Sequence, residues 1–359
     1  MAISNNTDDA EVSTLYSSPT SVNYYYLCFL RTKSFQEFQQ NLLLMCYVRP
    51  GMSILGIVAN MFSLQILRRS GLHKQSNILL FSMVIADTLC LFRALNYGSI
   101  LIYYGPNKSI SGLCAYQYSE TISYFLSYSF IITEYIHLWG EFSSTSFPVL
   151  ITLERVIAIF RPMAFSNIVT RKRTIISVEC VYLLWLPWTL FLPSLQNVST
   201  FSIMENITFV HVVATNVMID NIVFINVFDV YVNHFFADTL PFFLVVSGNI
   251  ALGFKVHTTL RKRKELTTSK NTVSWSPRTT RTLMLTCLFF AATTLAETIL
   301  QNIAFHTQWY LENGITLMNM GEIRNLILQI HSSLSFFIFI ASNKHFMNIF
   351  CGIFRRQKK

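Results

Sequence analysis

Three ionisable residues recur at helical spacing within one apolar segment of the chain, namely Glu134, His137 and Glu141. Residues separated by three and by seven positions return to the same face of an α-helix, so the three side chains would share one face. Ionised carboxylates accept strong, often bidentate hydrogen bonds from guanidinium groups. The spacing therefore predicts an acidic helix face that could bind a cationic ligand.

The composition indicates that this helix crosses a membrane. The 359-residue chain is 52% hydrophobic and only 13% charged, whereas a soluble domain carries about 25% charged residues. Apolar segments long enough to cross about 30 Å of hydrocarbon lie near residues 49–68, 77–101, 133–160, 175–195, 236–258, 281–305 and 323–342. These segments are too long for barrel strands, so we expect an all-α membrane protein, a bundle of seven transmembrane helices.

Basic residues predict the orientation of the bundle. Of the 27 Lys and Arg residues, 19 lie in the loops after spans one, three and five and in the carboxyl-terminal segment, and only four lie on the other side. Because cytoplasmic loops carry the excess of basic residues, the amino terminus is expected outside. The chain then divides into an extracellular tail (1–48), a seven-span domain (49–342), and a cytoplasmic amphipathic helix with a short basic tail (343–359). The net charge of +9 reflects this topology, and nucleic acid is not an expected partner.

Several features of the predicted outer side suggest a glycoprotein at the plasma membrane. All four N-x-S/T sequons fall on that side, at Asn5, Asn107, Asn197 and Asn206. Cys28 and Cys114 also lie there, in an oxidising compartment where they could form a disulfide. On the inner side, Cys351 lies beside Phe350 and is a candidate for palmitoylation.

Two outer loops are long enough to form structure of their own. Residues 103–132 either extend the third helix outward or form a separate surface helix. Residues 196–233 contain two β-rich stretches, ITFVHVV and NIVFINVFDVYV, which predict a β-hairpin over the bundle. An eighth span is the alternative, although Asp220, Asn221 and Asp229 disfavour it.

Five stretches of the chain carry motifs of a known receptor family. They read GIVANMFSLQILRR in span one, SNILLFSMVIADT in span two, LERVIAIFRP at the end of span three, LPFFLVVSGNIALGF in span five and NKHFMNIF after span seven. From about residue 50 to about residue 350, the chain thereby resembles the rhodopsin-like (class A) G-protein-coupled receptors. It looks most similar to the invertebrate FMRFamide and myosuppressin receptor group, which expanded in nematodes. The resemblance implies an extracellular peptide ligand and a heterotrimeric G protein as partners.

The resemblance also implies a buried polar cluster. Asn60 and Asp87 match the polar residues of the family's first two helices, and Ser144 and Ser332 are the expected neighbours. In the family this cluster binds sodium and relays activation, so a sodium ion near Asp87 is the one cofactor implied. The alternative is that these residues only join helices by hydrogen bonds, each worth about 0.6–2 kcal/mol.

An activation switch is implied at the cytoplasmic end of span three. Glu154 and Arg155 stand where the family has Asp-Arg, and Arg155 would turn toward the G protein on activation. The alternative is an arginine that extends to the membrane interface beside a carboxylate. Phe290 matches a core position of the family switch, and Phe339 stands where the family has a tyrosine.

The chain departs from the family pattern at several points. Ala296 removes the usual sixth-helix proline, and SFFIF at 335–339 replaces Asn-Pro-x-x-Tyr. Pro148 predicts a kink in the third helix. The loop at 196–233 has no cysteine, so the family's usual disulfide to the third helix cannot form. These departures affect the expected coupling more than the expected fold.

The candidate ligand site lies in the outer half of the bundle. At about 1.5 Å per residue, Glu141 is about 21 Å from Arg155 along the third helix. Residues on other spans could face the same cavity, so the candidate ligand-binding set is Glu134, His137, Glu141, Asp238, Glu297 and Gln301. A peptide ending in Arg-Phe-amide would bring both a cation and an aromatic ring. The competing expectation is that Arg93 already neutralises Glu141.

Three functions are compatible with these observations. The leading one is a receptor for an amidated neuropeptide. The second is a chemosensory receptor for small molecules, which should not need the acidic pocket. The third is an ion-coupled transporter that uses Asp87, Glu141 and Glu297 as a relay, although the chain shows no internal repeat.

An enzyme is not expected. The eight His residues are scattered without metal-ligand spacing, and neither a nucleophile elbow nor a phosphate-binding loop is present. Hydroxyl residues are concentrated in the loop 257–280, whereas the chain after Ser342 has no Ser or Thr. If arrestin binds, it is therefore expected to use the phosphorylated loop 257–280.

Overall fold

The predicted seven-helix bundle is confirmed. A computed structural model of the chain describes residues 47–95, 120–204, 207–228, 233–266, 288–300, 314–342 and 344–356. The bundle helices are α1 (Arg49–Ser70), α2 (Gln75–Leu91), α3 (Glu120–Phe160), α4 (Arg171–Ser194), α5 (Leu240–Leu266), α6 (Leu288–Leu300) and α7 (Gly314–Ser342). By length and composition, four helical stretches among the described residues could cross a membrane: α1, Ser127–Phe160, α4 and Phe235–Thr259. The described parts of α2 and α6 are shorter apolar helices.

The third helix is much longer than its predicted span. It contains 41 residues and begins at Glu120, so the outward extension is the correct alternative for the described part of residues 103–132. At 1.5 Å per residue α3 is about 61 Å long, roughly twice the hydrocarbon thickness. The helix continues through Pro148, where the missing N–H removes one backbone hydrogen bond.

A β-hairpin follows α4, but its strands differ from the predicted ones. Strand β1 (Gln196–Met204) pairs antiparallel with β2 (Ile207–Ala214), and Phe201 lies opposite Phe209. ITFVHVV thus forms the second strand, and its partner precedes it in the chain. Both strands pack against α3.

The stretch NIVFINVFDVYV was wrongly expected to be a strand. Its described part forms the short helix Ile222–Val227, which follows another short helix, Asn216–Asp220. The hydroxyl of Thr215 caps the first of these helices by accepting a hydrogen bond from the Met218 N–H at 3.4 Å. Helices of five and six residues are too short to cross a bilayer, so these described residues form no eighth span.

Close contact between α2 and α3 depends on Gly140. A Cβ atom at this position would lie 2.4 Å from the backbone nitrogen of Cys90 and 2.8 Å from the carbonyl oxygen of Ala86. Only glycine lets the two backbones approach this closely. The contact brings the outer end of α2 beside the acidic face of α3.

The predicted amphipathic helix after the seventh span is also confirmed. Helix α8 (Lys344–Arg356) follows α7. The Phe350 ring packs edge-on against Phe62 of α1 and Phe336 of α7, with centroids 5.7 Å apart in each pair. These contacts hold α8 against the cytoplasmic ends of α1 and α7. Cys351 is exposed on α8 with a free thiol, and its palmitoylation stays a prediction.

Candidate functional site

The acidic face of α3 forms as predicted, and its outermost member is paired with α2. Arg93 lies in the single 3₁₀ turn Phe92–Leu95 that follows α2. Its Nε atom is 3.0 Å from Oε2 of Glu134. The side chains of Arg93 and Glu134 keep 31% and 12% of their surface exposed, so this ion pair lies at the edge of the bundle.

His137 connects α2 to the next acidic residue of α3. Its Nδ1 atom lies 2.7 Å from the Cys90 carbonyl oxygen. A carbonyl oxygen can only accept, so Nδ1 carries the proton. Its Nε2 atom lies 3.3 Å from Oε2 of Glu141. A second proton on Nε2 would make this contact an ion pair.

Glu141 is neutralised from α7. Nη2 of Arg324 donates to Oε1 of Glu141 at 3.1 Å. The expectation that Arg93 neutralises Glu141 was therefore wrong, because Glu141 forms its ion pair with Arg324 and Arg93 pairs with Glu134. Glu141 lies seven residues further along α3 than Glu134, about 10 Å nearer the cytoplasm, and Arg93 pairs at the level of Glu134.

Arg324 is a site residue that the sequence analysis did not select. The available signal was an arginine at the edge of an apolar span, where an unpaired charge is costly and a carboxylate partner is expected. Sequence alone offered several carboxylates and no means of choosing among them.

Asp238 has a partner on its own element. It lies in the π-helical turn Phe235–Thr239 that precedes α5, and its Oδ2 atom is 2.6 Å from Nδ1 of His234. One of its oxygens is thus already occupied.

Glu297 of α6 differs from the other three carboxylates. The residue is 7% exposed, and its Oε1 atom has no hydrogen-bond partner among the described residues. Arg324, Asp238 and Glu141 are the charged groups whose fields act on it. The positive charge of Arg324 thus acts on two carboxylates, Glu141 of α3 and Glu297 of α6. Gln301 lies outside the described residues.

The polar cluster forms deep in the bundle. Asp87 of α2 is fully buried and accepts a short hydrogen bond from the Ser144 hydroxyl of α3. Nδ2 of Asn60 donates to the backbone carbonyl of Ser332 at 3.1 Å, which joins α1 to α7. Two buried oxygens, Oδ1 of Asn60 and Oγ of Ser332, have no hydrogen-bond partner in the described part of the chain. All four predicted residues therefore lie between these helices.

At the cytoplasmic end of α3, a serine of α2 bridges the ion pair. Ser76 donates from Oγ to Oε1 of Glu154 at 2.8 Å and accepts a short hydrogen bond from Nη2 of Arg155. The Arg155 Nη2 and Glu154 Oε1 atoms are 3.7 Å apart. Ser76 was not selected from the sequence, because one hydroxyl at the start of an apolar helix carries no distinguishing pattern.

Phe290 lies at a junction between α6 and α7. It is 1% exposed, and its ring meets His331 edge-on, while the Phe289 ring stacks on the same imidazole, with centroids 5.6 Å apart in both pairs. Nδ1 of His331 is 3.0 Å from the Thr293 hydroxyl. This hydrogen bond joins the two helices one turn before Ala296. The side chain of Phe339 lies outside the described residues.

The remaining predicted sites are mostly outside the described part. Asn197 is exposed on β1 and stays a predicted glycosylation site. The other sequons, at Asn5, Asn107 and Asn206, and the cysteines Cys28 and Cys114 lie outside the described residues. Among the residues that the structure does describe, no group of three or more His, Cys, Asp or Glu side chains is placed to hold a metal ion.

Residues 47–354 match the family model of the serpentine type 7TM GPCR chemoreceptor Srw. This chain belongs to the Srw family. The match covers the bundle and α8 up to residue 354, well over half of the chain. No curated protein matches the chain.

Membership of the Srw family decides several of the earlier alternatives. The Srw chain is a G-protein-coupled receptor, a multi-pass membrane protein and a non-enzyme, as predicted. It is expected to respond to an extracellular ligand and to couple to a G protein. The closer resemblance to the FMRFamide and myosuppressin receptor group is not supported, because the matched family is one of chemoreceptors. The match gives no support to a transporter.

Proposed function

We propose that this Srw receptor is a chemosensory receptor that binds a cationic small molecule among α3, α6 and α7. The observation that carries the proposal is the buried Oε1 atom of Glu297, which has no hydrogen-bond partner among the described residues. A buried acceptor left unpaired costs about 1–3 kcal/mol, and more when it is charged. A ligand that donates a hydrogen bond to Glu297 would remove this cost on binding.

The charge balance of the cluster favours a cationic ligand. Glu141 already has a cationic partner, since Arg324 donates to it at 3.1 Å, and Nε2 of His137 lies 3.3 Å from its other carboxylate oxygen. The positive charge of Arg324 acts on both Glu297 and Glu141. One positive charge cannot fully neutralise two carboxylates. An ammonium or guanidinium group would supply the missing positive charge together with charge-assisted hydrogen bonds. The sequence alone suggested that a small-molecule receptor would not need the acidic pocket, whereas the proposed receptor uses it.

An amidated neuropeptide is the second candidate ligand. An Arg-Phe-amide end would bring a guanidinium group to the same carboxylate. The outer part of α3 and the hairpin packed on it offer further surface, which only a longer ligand would contact. The chemoreceptor family match favours the first candidate.

Matched cationic and neutral compounds would separate these alternatives. Cells expressing the receptor would be challenged with primary amines and the corresponding alcohols, and with Arg-Phe-amide and its neutral citrulline analogue. We expect G-protein activation by cationic members only, and a loss of at least tenfold in potency in Glu297→Gln. Asp220→Asn is the matched control, since it likewise exchanges a carboxylate for an amide, at an exposed position of the short helix Asn216–Asp220.

The outcomes identify the ligand class. Responses to amines support the small-molecule function, and responses confined to peptide ends support the neuropeptide function. Equal responses to cationic and neutral members, unchanged in Glu297→Gln, would contradict both.

The polar cluster is proposed to accept a sodium ion. Asp87 supplies a buried carboxylate, and Asn60 and Ser332 supply oxygens that lack hydrogen-bond partners in the described part. Oxygen ligands suit a hard cation, so the residues fit the ion. An arrestin that reads the loop 257–280 and the glycosylation of the outer side also remain proposals.

A further inference from the structure

A histidine at the outer end of α5 has one ring nitrogen without a partner. His234 immediately precedes the π-helical turn Phe235–Thr239, and its Nδ1 atom is 2.6 Å from Oδ2 of Asp238. A carboxylate only accepts hydrogen bonds, so Nδ1 carries the ring proton, and in the neutral imidazole Nε2 is then an acceptor. This Nε2 atom is buried and has no hydrogen-bond partner among the described residues.

The pair formed by His234 and Asp238 lies on the inner side of this segment. The two side chains keep only 14% and 13% of their surface exposed. Phe235 and Phe236, which lie between them in the sequence, are 45% and 53% exposed. The segment therefore turns its aromatic rings outward and its two ionisable side chains toward the bundle.

The same pair lies at the depth of the candidate ligand site. Ala237, which precedes Asp238, is fully buried and belongs to one packed cluster with Phe142 of α3. Phe142 directly follows Glu141, so Asp238 lies close to the level of Glu141. His234 is four residues earlier in the chain, which places it about 6 Å nearer the outer side.

Asp238 also connects this pair to Glu297 of α6. The negative charge of Asp238 is one of those that act on Glu297, so the two carboxylates border the same region between α5 and α6. Oε1 of Glu297 and Nε2 of His234 are thus two buried acceptors, on two helices, that lack hydrogen-bond partners in the described part of the chain.

Two such acceptors favour a ligand that carries two separate donor groups. A buried acceptor that has lost water without gaining a donor is costly. A simple amine bound to Glu297 removes this cost at one acceptor, whereas a ligand with a second donor removes it at both. A hydroxyl suits Nε2 of His234 better than a second ammonium group, because a neutral imidazole offers no negative charge to a cation.

We propose that His234 determines which cationic ligands bind, by accepting at Nε2 a hydrogen bond from a hydroxyl group of the ligand. The inference rests on the proposed function, in which Glu297 binds the cation, and it adds the ligand class, an amine that also carries a hydroxyl. Asp238 was predicted as a ligand contact, and it acts here as a positioning residue. Its Oδ2 atom holds the ring proton on Nδ1 and leaves Nε2 to the ligand.

Matched ligands isolate the contribution of the second donor. Cells expressing the full-length receptor would be challenged with straight-chain amino alcohols, from ethanolamine to aminohexanol, with the alkylamines of equal length and with the O-methyl ethers of the amino alcohols. At one chain length, G-protein activation in wild type should need about 3- to 30-fold less amino alcohol than alkylamine or ether. The ether is the decisive comparison, because its oxygen accepts a hydrogen bond but cannot donate one.

Substitutions of His234 test the assigned acceptor, read as the ratio of amino alcohol to alkylamine potency. This ratio compares two ligands on the same receptor, so it is corrected for changes in surface amount. His234→Leu should bring the ratio close to one and keep the alkylamine response, which depends on Glu297. His234→Gln should retain part of the preference, because its amide oxygen accepts. His257→Leu is the matched control, at an exposed position in the cytoplasmic half of α5, and should leave the ratio unchanged.

Substitutions of Asp238 test the positioning role by the same ratio. Asp238→Ala removes the acceptor that holds the proton on Nδ1 of His234, so the preference for the amino alcohol should fall. Asp238→Asn should retain it, because the amide oxygen still accepts from Nδ1.

Three results would overturn this inference and leave the proposed function standing. One is a ratio close to one in wild type at every chain length, with responses that still depend on Glu297. Another is an unchanged preference in His234→Leu, which would assign the second donor to a different residue. The third is equal potency of amino alcohol and ether, both above the alkylamine, which would show that His234 donates. A wild type that responds to none of the cations would contradict the proposed function together with this inference.

Discussion

At the scale of single residues, the role of a side chain depends more on its hydrogen-bond and ion-pair partners than on its residue type. Glu141 and Glu297 are both buried glutamates of the outer cluster. Glu141 accepts a hydrogen bond from Arg324, whereas Glu297 has an oxygen without a partner in the described part. The ion pair at Glu154 and Arg155 likewise depends on a third residue, because Ser76 bonds to both. These contacts tie the cytoplasmic end of α3 to the start of α2.

Removing the Ser76 hydroxyl should raise signalling in the absence of ligand. Ser76→Ala deletes hydrogen bonds to Glu154 and Arg155, each worth about 0.5–1.5 kcal/mol. If these contacts stabilise the resting state, basal G-protein activation should rise by about 2- to 10-fold. Ser82→Ala is the control on the same helix, since among the described residues the Ser82 hydroxyl bonds only to the Ile78 carbonyl of its own helix. An unchanged basal signal in Ser76→Ala at normal surface levels would show that the bridge does not restrain activation.

At the scale of secondary-structure elements, a few contacts position the site. Gly140 lets α2 approach α3, and this approach brings the Cys90 carbonyl within 2.7 Å of His137. Position 296 of α6 is an alanine, where the family usually has a proline. The Thr293–His331 hydrogen bond and the rings of Phe289 and Phe290 join α6 to α7. The outer half of the bundle is thus organised by helix–helix contacts.

Gly140→Ala should destabilise the receptor and weaken its response to ligand. The added Cβ would lie 2.4 Å from a backbone nitrogen of α2, so the helices must separate, at a cost of about 1–3 kcal/mol. Gly253→Ala is the matched control, because a Cβ there meets no atom within 4 Å. It should leave stability unchanged or raise it by up to about 1 kcal/mol. Thermal unfolding of the purified proteins would check both, and equal midpoints for the two variants would contradict the account of this contact.

At the scale of the whole molecule, the sequence predicted the bundle well and the outer site only in part. Seven spans, their orientation and α8 follow from apolar length, basic loops and amphipathic pattern, which are local properties of the chain. The acidic face of α3 also follows from local spacing. The partners of that face do not, because Arg324 lies 183 positions from Glu141. Only the packing of α3 against α7 brings them together.

Short β-rich segments were predicted less reliably for the same reason. Val/Ile/Phe-rich sequence suits a strand or a buried helix, and the choice depends on neighbours. ITFVHVV pairs with the segment that precedes it, while NIVFINV follows a short helix and forms the helix Ile222–Val227. The family, too, could be assigned only coarsely from the sequence motifs. Motifs in α1 to α3 indicate a G-protein-coupled receptor, and only the match over residues 47–354 identifies a chemoreceptor family.

The central claim is that Glu297, whose Oε1 atom has no hydrogen-bond partner in the described part of the chain, is kept for a ligand at the expense of stability. It is tested most directly by the thermal unfolding midpoint of the purified, unliganded receptor, compared among wild type, Glu297→Leu and Glu141→Leu. Leucine at position 297 removes a buried oxygen that has no partner in the described part, so the midpoint should rise by about 2 °C or more. Leucine at position 141 leaves the Arg324 guanidinium without its Glu141 partner, so the midpoint should fall. A fall in Glu297→Leu as large as that in Glu141→Leu would show that Glu297 already has a structural partner, and would contradict the account.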